Sequence, residues 1–279
     1  MTYITLAPAR LPVIATFKKT CRAFLKALGP LGLLYLLCLG VVGVFCAGVV
    51  ALGKPMANLA FALWEGLGLD LESLPWWLAM GPLILVLLVG CIAICLWISI
   101  AGYKLAYASA DGRTLKLMDA LRDPQPSILI YFLLNLGACI LILGGAILFI
   151  VPGIMIALAL GLAPLAMILE GKDVSESLQR SRDLTRDNRW RLLGLYVLSE
   201  LLFLPRYLLP PISLEVIRSL RAGLSLPNSL AILDFAIASL HSIFIVVLTV
   251  TIYRELRALK DRPAKVVAPE PAPEPSPAA

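Results

Sequence analysis

The sequence predicts an all-α fold, a polytopic integral membrane bundle of about six transmembrane helices. Between Pro30 and Tyr253 the chain is a series of apolar runs of about 20 residues, the length that crosses a bilayer as a helix. The composition agrees, with 60% hydrophobic residues, 15% charged residues and a mean hydropathy of +0.90. Soluble domains carry about one-quarter charged residues, so hydrocarbon is the solvent that this pattern fits.

Six runs are predicted to span the bilayer. They are Pro30 to Leu52, Trp77 to Ile100, Ser127 to Ile150, Ile154 to Leu169, Leu192 to about Ile212, and Ser229 to Tyr253. Only Val151, Pro152 and Gly153 separate the third run from the fourth, so these two runs are expected to form a tight helical hairpin. The hairpin could span the bilayer or dip into it as a re-entrant pair, and we expect it to span.

Lysine and arginine predict the orientation. Of the 24 lysines and arginines, 20 lie in the N-terminal segment, in two loops and in the C-terminal tail, which are all on one side of the predicted topology. Cytoplasmic loops carry this excess of positive charge, so both termini are expected in the cytoplasm of a bacterium, with the chain in the inner membrane. Residues 30–253 would form the membrane domain, preceded by the basic segment 1–29 and followed by the tail 254–279. The tail is basic and then proline-rich, a composition typical of disorder.

The N-terminal segment has a helical apolar stripe between its cations. The stripe consists of Val13, Phe17, Phe24 and Leu28. This pattern predicts an interfacial amphipathic helix that lies on anionic lipid headgroups. A plain basic flank that only enforces the topology would have the same charges, and the sequence does not separate the two interpretations.

Cofactor and metal signatures are missing from the sequence. The six cysteines lie in or beside apolar runs and form no CxxC pair, so we expect reduced packing residues and no metal site. There is no HExxH or GxSxG motif, and His241 is the single histidine. We therefore expect no cofactor and no enzymatic activity. Nucleic acid is not an expected partner either, because the cations lie at the ends of apolar runs and do not line a groove with aromatic residues.

Four ionisable residues are predicted at membrane depth, where each costs about 2.5 to 3.5 kcal/mol at a helix centre. They are Glu200, Arg206, Asp234 and His241. If spans five and six are antiparallel neighbours, Glu200 lies opposite His241 and Asp234 lies opposite Arg206. Glu200 and Arg206 point about 120° apart on a straight helix, so Arg206 could instead reach the outer interface. A structural clamp is favoured over a proton relay.

The loop between spans four and five predicts a short helix. Asp173 can cap it with Glu176 at the third position, and Val174, Leu178 and Ser181 would face the membrane. The arginines at 180, 182 and 186 would face water, where they either hold lipid phosphate or form a solvated face that fixes topology; the solvated face is favoured. Trp190 and Arg191 mark the interface at which span five begins.

The same region carries a resemblance. Its residues are Pro152 and Gly153 in IVPG, Pro164, Glu170 and Gly171, the Arg180 to Thr185 pattern RS-x-x-LT, Trp190 and Arg191, and the upstream Ala110 to Arg113. Over roughly residues 105–205 the chain resembles a family of uncharacterised bacterial inner-membrane proteins, which is similar to the membrane domain fused to some glycerophosphodiester phosphodiesterases. The resemblance implies a helical membrane domain and implies no catalysis.

Three function classes follow from these features. An accessory or organising membrane protein, which acts through lipids, a protein partner or a second copy of itself, fits the basic segments and the proline-rich tail. A small-solute or lipid transporter is the alternative, because of the membrane-depth charges and the prolines at 164 and 205. An intramembrane enzyme is disfavoured because no nucleophile or metal-ligand set accompanies His241. The accessory role is the one that we expect.

Overall fold

The computed structural model describes residues 10–66, 76–113, 115–122, 126–204 and 229–261, and this part of the chain consists of helices and short connections, with no strand. The helices are α1 (Val13–Gly66), α2 (Trp76–Ala110), α3 (Leu117–Arg122), α4 (Ile128–Leu148), α5 (Ile150–Leu160), α6 (Ala163–Glu170), α7 (Val174–Thr185), α8 (Arg189–Leu202) and α9 (Ser229–Lys260). The predicted all-α fold is confirmed.

Five segments of the described helices are long and apolar enough to cross a membrane. They are Val13–Val44, Leu88–Ala110, Ile128–Leu148, Ile150–Glu170 and Ala236–Lys260. Each overlaps one of the predicted spans. The remaining predicted span, Leu192 to Ile212, begins in α8, and its part from residue 205 onward lies outside the described residues. The proline-rich tail and residues 67–75 lie outside them as well.

Helix α1 is a single helix that contains both the amphipathic N-terminal segment and the first span. The apolar stripe of its first turns does not form a separate interfacial helix. Phe17 and Phe24 pack against Phe244 of α9, with ring centroids 5.9 and 5.4 Å apart. The spacing correctly predicts a helix with one apolar face. That face is covered by α9 and not by lipid headgroups.

The predicted tight hairpin is formed by α4 and α5. Phe149, in an extended conformation, is the one residue between the two helices. Pro152 lies in the first turn of α5, where its missing N–H costs no hydrogen bond. Gly153 packs so closely on α4 that an added Cβ atom would lie 2.8 Å from the Cα atom of Ala146. Glycine at 153 is therefore what allows the two helices to approach each other.

The fourth predicted span is interrupted, because Gly161 and Leu162 separate α5 from α6. Ser181 of α7 reaches this break. Its hydroxyl donates to the carbonyl of Ala159 at 2.7 Å and accepts the N–H of Leu162 at 3.2 Å. The expectation that Ser181 faces the membrane is therefore wrong: the side chain is fully buried and satisfies backbone groups that the break leaves unpaired.

The main core lies where α1, α2 and α9 pack together, around buried residues such as Phe244, Val247 and Leu248 of α9. A second cluster joins α2, α4 and α6, and Val174 and Leu178 of α7 pack against it. These two residues were expected to face the membrane, but helices of the same chain cover them. Helix α7 packs against this second cluster and lies at one end of the bundle. We call this end, which carries Lys19, Asp111, Glu170, Asn188 and Arg254, the charged end.

Candidate functional site

The charged end is built from the places at which helices stop or start. Helix α2 ends in a Schellman motif: Gly112 has φ 76°, and the N–H of Arg113 donates to the carbonyl of Ala108 at 2.9 Å. Helix α6 ends at Glu170, followed by Gly171 with φ 65°. Both glycines occupy left-handed conformations that other residues rarely adopt. These turns fix the direction of the two acidic side chains, Asp111 and Glu170, next to them.

Glu170 is the centre of one group of charges, and its side chain is only 10% exposed. The hydroxyl of Tyr253 donates to its Oε1 atom at 2.5 Å, and Nε of Arg180 lies 3.2 Å from its Oε2 atom. Nη2 of Arg180 also donates to both carboxylate oxygens of Asp261, at 2.9 and 2.7 Å. Nε of Arg257 lies 3.7 Å from Glu170 and 3.5 Å from Asp261. We call these five residues the Glu170 cluster.

The Glu170 cluster is electrically balanced, since two guanidinium groups face two carboxylates. The hydrogen bond from Arg180, supported by Arg257, lowers the pKa of the Asp261 carboxyl below its usual range. Partial burial disfavours the charge on Arg180, but the hydrogen bond to Asp261 and the charge of Glu170 outweigh it and raise the pKa of the guanidinium. Arg180 and Asp261 thus stabilise each other's charged form.

Helix α7 begins after Asp173, as predicted, although the side chain of Asp173 makes no capping hydrogen bond. Arg182 and Arg186 are exposed, as expected from the sequence. Arg180 is different: it was expected to face water with them, and the structure draws it into the Glu170 cluster, where its side chain is 23% exposed. Glu170 of the preceding helix and the distant Asp261 attract it, and the local pattern of α7 contains neither carboxylate.

Residues at the start of α8 hydrogen-bond to the backbone just before α1. Oδ1 of Asn188 accepts the backbone N–H of Leu11 at 2.8 Å, and Nη1 of Arg191 donates to the carbonyl of the same residue at 2.6 Å. Leu11 is fully buried. Arg191 is therefore an anchor for the N-terminal segment, while its neighbour Trp190 remains 68% exposed, as an interfacial tryptophan would.

A second group of charges surrounds a cavity of about 380 Å³ between α1, the end of α2 and α9. We call it the basic pocket; its charged residues are Lys19, Arg22, Lys26, Asp111, Arg254 and Glu255. Nζ of Lys19 donates to Glu255 at 2.7 Å, and Nη2 of Arg254 donates to Asp111 at 2.6 Å. Arg254 also donates to the carbonyl of Ala110. The two carboxylates are thus both engaged by lysine or arginine.

Arg22 and Lys26 form no ion pair with any residue that the structure describes, and both are exposed. With four cations and two carboxylates, the lining of the basic pocket has a net charge of +2. The pocket can therefore accept an anion without breaking an existing ion pair. This is the opposite of the Glu170 cluster, which has no unbalanced charge.

The structure describes the side chains of two of the four ionisable residues that are predicted at membrane depth. Nε2 of His241 lies 3.3 Å from Oε1 of Glu200, the pair that the predicted register of spans five and six brings together. His241 is buried, and its Nε2 atom finds no aligned hydrogen-bond acceptor in the described part of the chain. Its ring packs on Phe203 with centroids 4.7 Å apart. Arg206 and the side chain of Asp234 lie outside the described residues, so their pairing stays a prediction.

The roles of Tyr253 and Arg254 of α9, and of Asp261 directly after it, are not predicted by the sequence. Arg254 was counted only as a topogenic charge of the tail, although it binds Asp111 more than 140 residues away. The spacing of Arg257 and Asp261, four residues apart on one helix face, was the one local signal available. Among the described residues, no group of three or more histidine, cysteine or acidic side chains is placed to hold a metal ion.

Comparison with known proteins gives a family and no further relative. A family model described as a domain of unknown function, DUF7847, matches residues 71–256. The match contains most of the Glu170 cluster and the α2 and α9 sides of the basic pocket. No curated protein and no solved structure matches the chain.

Proposed function

We propose that this chain, which belongs to the DUF7847 family, is a non-enzymatic accessory or organising protein of the bacterial inner membrane that acts through contacts with lipids or a protein partner. In this proposal the bundle crosses the membrane six times, with α8 starting the fifth span. The charged end and both termini lie in the cytoplasm. The 20 cations assigned to that side support this orientation.

The observation that carries the proposal is the unbalanced positive charge of the basic pocket beside apolar, exposed helices. Arg22 and Lys26 precede the exposed apolar residues Leu33 and Leu37 on α1, and Leu25 between the two cations is 72% exposed. Cations at this level meet the anionic headgroups of the cytoplasmic leaflet, each with about 1 kcal/mol of attraction. The exposed cations and apolar residues at this end of the bundle therefore favour contact with anionic lipids.

The other polar groups of the charged end support an accessory role in a different way. Glu170, Arg180, Tyr253 and Asp261 bind one another, so their polar atoms are used to fasten α6, α7 and α9 together. Glu170, Gly171 and Arg180, which carry part of the resemblance to the phosphodiesterase-linked membrane domains, lie in these contacts or in the turn that positions them. A shared scaffold would explain that resemblance without a shared reaction.

Lipids that accompany the protein through purification test the proposal. The full chain would be extracted from bacterial membranes in a neutral detergent and its bound lipids identified by native mass spectrometry. We expect anionic phospholipids to be enriched over their share of the membrane, because the charged end attracts them. Bound lipids that match the bulk composition would contradict the lipid-contact role. Tags on both termini that are accessible from the periplasm of intact cells would contradict the orientation.

A transporter is the second candidate, and the contact between Glu200 and His241 favours it. Ionisable pairs at membrane depth commonly mark ion or proton pathways. A transport pathway requires that water or a solute reaches this pair, whereas a structural clamp between α8 and α9 does not. A Glu200→Gln variant that keeps its stability but loses uptake of a solute into proteoliposomes would favour transport. Loss of stability alone would favour the clamp between α8 and α9.

A further inference from the structure

The outward face of α1 changes from cationic to apolar along one straight line. Residues 11 apart on an α-helix differ by only about 20° in direction and lie about 16 Å apart. Leu33 is 11 residues after Arg22, Leu37 is 11 after Lys26, and Val44 is 11 after Leu33. Leu33, Leu37 and Val44 are 57%, 41% and 76% exposed, so no helix of the described bundle covers this stripe.

We infer that the basic pocket and this stripe form a single binding site for one anionic phospholipid of the cytoplasmic leaflet. Its phosphate would lie against Arg22 and Lys26, and its acyl chain would run along Leu33, Leu37 and Val44. The inference rests on the proposed function and names the headgroup chemistry and the place at which the lipid contact occurs.

The pocket is suited to a phosphate because its two remaining cations are held in place. The guanidinium of Arg254 is fixed by Asp111 and by the carbonyl of Ala110, and it lies over the ring of Tyr107 at 5.7 Å. Lys19 is fixed by Glu255. Arg254 and Lys19 are thus each paired with a carboxylate, and the two pairs carry no net charge. Arg22 and Lys26, on the rim, are then the groups that supply charge to a ligand.

The length of the stripe selects a lipid over a free phosphate ion. From Arg22 to Leu33 the distance along α1 is about 16 Å, which is close to half of a hydrocarbon core of about 30 Å. A chain attached to a headgroup in the pocket would therefore follow the stripe to the middle of the bilayer. An inorganic phosphate ion would use only the rim cations and would gain nothing from the three apolar residues.

The test is a titration of the delipidated full chain in neutral detergent, followed by native mass spectrometry. Phosphatidylglycerol, phosphatidylcholine and inorganic phosphate are the three probes. We expect phosphatidylglycerol to bind more tightly than phosphatidylcholine. Replacing two cations that each contribute at the headgroup, in Arg22→Gln/Lys26→Gln, should weaken phosphatidylglycerol binding about 30-fold.

The matched control is Arg182→Gln/Arg186→Gln, which removes the same charge from exposed arginines of α7 on the same end of the protein. It should keep phosphatidylglycerol binding within about threefold of the unmodified protein, because no residue of α7 lines the pocket and solvent-exposed charges are screened. The charge-conserving variant Arg22→Lys/Lys26→Arg should also retain binding. The single variants Arg22→Gln and Lys26→Gln should each weaken binding about fivefold, so the inference stays testable should the double variant fold poorly.

Each other outcome overturns the inference. Equal losses in the pocket and α7 variants would mean a diffuse charge effect. Competition by inorganic phosphate at the same concentration as the lipid would mean a free-anion site. Retained binding in the pocket variant would move the lipid elsewhere and leave the proposed function standing. If the unmodified protein does not distinguish phosphatidylglycerol from phosphatidylcholine, the lipid-contact function fails together with the site.

Discussion

The Glu170 cluster and the basic pocket lie at the same end of the bundle and share α9, but they balance their charges differently. In the cluster, two arginines face two carboxylates, and the central glutamate is 10% exposed. In the pocket, four cations face two carboxylates, and Arg22 and Lys26 are exposed. One group is neutral and centred on an enclosed carboxylate, whereas the other is positive and accessible.

The difference indicates two roles for similar side chains. Enclosed charges must be paired, and removing one partner leaves the other without compensation, so such a group determines stability. Exposed and unbalanced charges contribute little to stability but attract ions of opposite sign. We therefore expect the Glu170 cluster to fasten helices and the basic pocket to bind a ligand. Substitutions on the two sides should have separable effects.

The largest effect is expected for Glu170→Gln. The amide can still accept a hydrogen bond from Tyr253, but the charge that holds Arg180 and Arg257 is lost. Hydrogen bonds to charged groups contribute about 1.5 to 3 kcal/mol, so the free energy of unfolding in mixed micelles should fall by about 2 kcal/mol. Glu176→Gln, at an exposed position in the first turn of α7, is the control and should change it little. Equal losses in the two variants would contradict a fastening role.

Helix α5 leads into α6, which ends at Glu170. A change in the packing of the α4–α5 hairpin therefore tests the support of the Glu170 cluster. In Gly153→Ala the new methyl group would meet the backbone of Ala146 at 2.8 Å, so the two helices must separate. Overpacking of this kind costs about 1 to 3 kcal/mol. Gly144→Ala is the matched control, because a Cβ atom there has no neighbour within 4 Å. Thermal unfolding of both variants would measure the difference, and a Gly153→Ala variant as stable as Gly144→Ala would refute the close packing.

Asp261→Asn gives a smaller effect with a defined pH dependence. The pKa of Asp261 is lower in the folded than in the unfolded state, so its contribution is complete above about pH 3.9, the usual aspartate value. The contribution is lost as the pH falls through the lowered pKa. Since the side chain is 42% exposed, about 0.5 kcal/mol is expected at pH 7. Stability curves of Asp261→Asn and the unmodified protein should converge in acid; a gap that widens in acid would be the wrong sign.

The smallest effect on stability is expected on the accessible side. Arg22→Gln/Lys26→Gln removes two exposed cations without an ion pair in the described structure, so the free energy of unfolding should change by less than about 0.5 kcal/mol. Urea or detergent-induced unfolding in the absence of added lipid would measure it. A loss as large as that of Glu170→Gln would mean that the rim of the pocket is part of the fastening.

The sequence predicts several features of this fold. Apolar runs predict the helices, Val151-Pro152-Gly153 predicts the hairpin, and antiparallel spacing predicts the meeting of Glu200 and His241, now seen at 3.3 Å. These are periodic or local features, and backbone geometry carries them from sequence to structure.

The contacts between distant segments were not visible. The binding of Arg180 to Asp261 joins residues 81 positions apart, and neither helix carries a signal for the other. The apolar stripe of the N-terminal segment has the same spacing whether lipid or α9 covers it, so periodicity could not identify Phe244 as its partner. The break at Gly161 lies inside an apolar run, and the buried role of Ser181 depends on that break.

The rise in thermal unfolding temperature on addition of phosphatidylglycerol tests the two-sided charged end most directly, because one experiment reports both stability and binding. The account predicts that Glu170→Gln starts from a lower temperature and keeps the full lipid-induced rise. It predicts that Arg22→Gln/Lys26→Gln starts from the unmodified temperature and loses most of the rise. If both variants lower the starting temperature and the lipid response together, the charged end is a single unit and the account is contradicted.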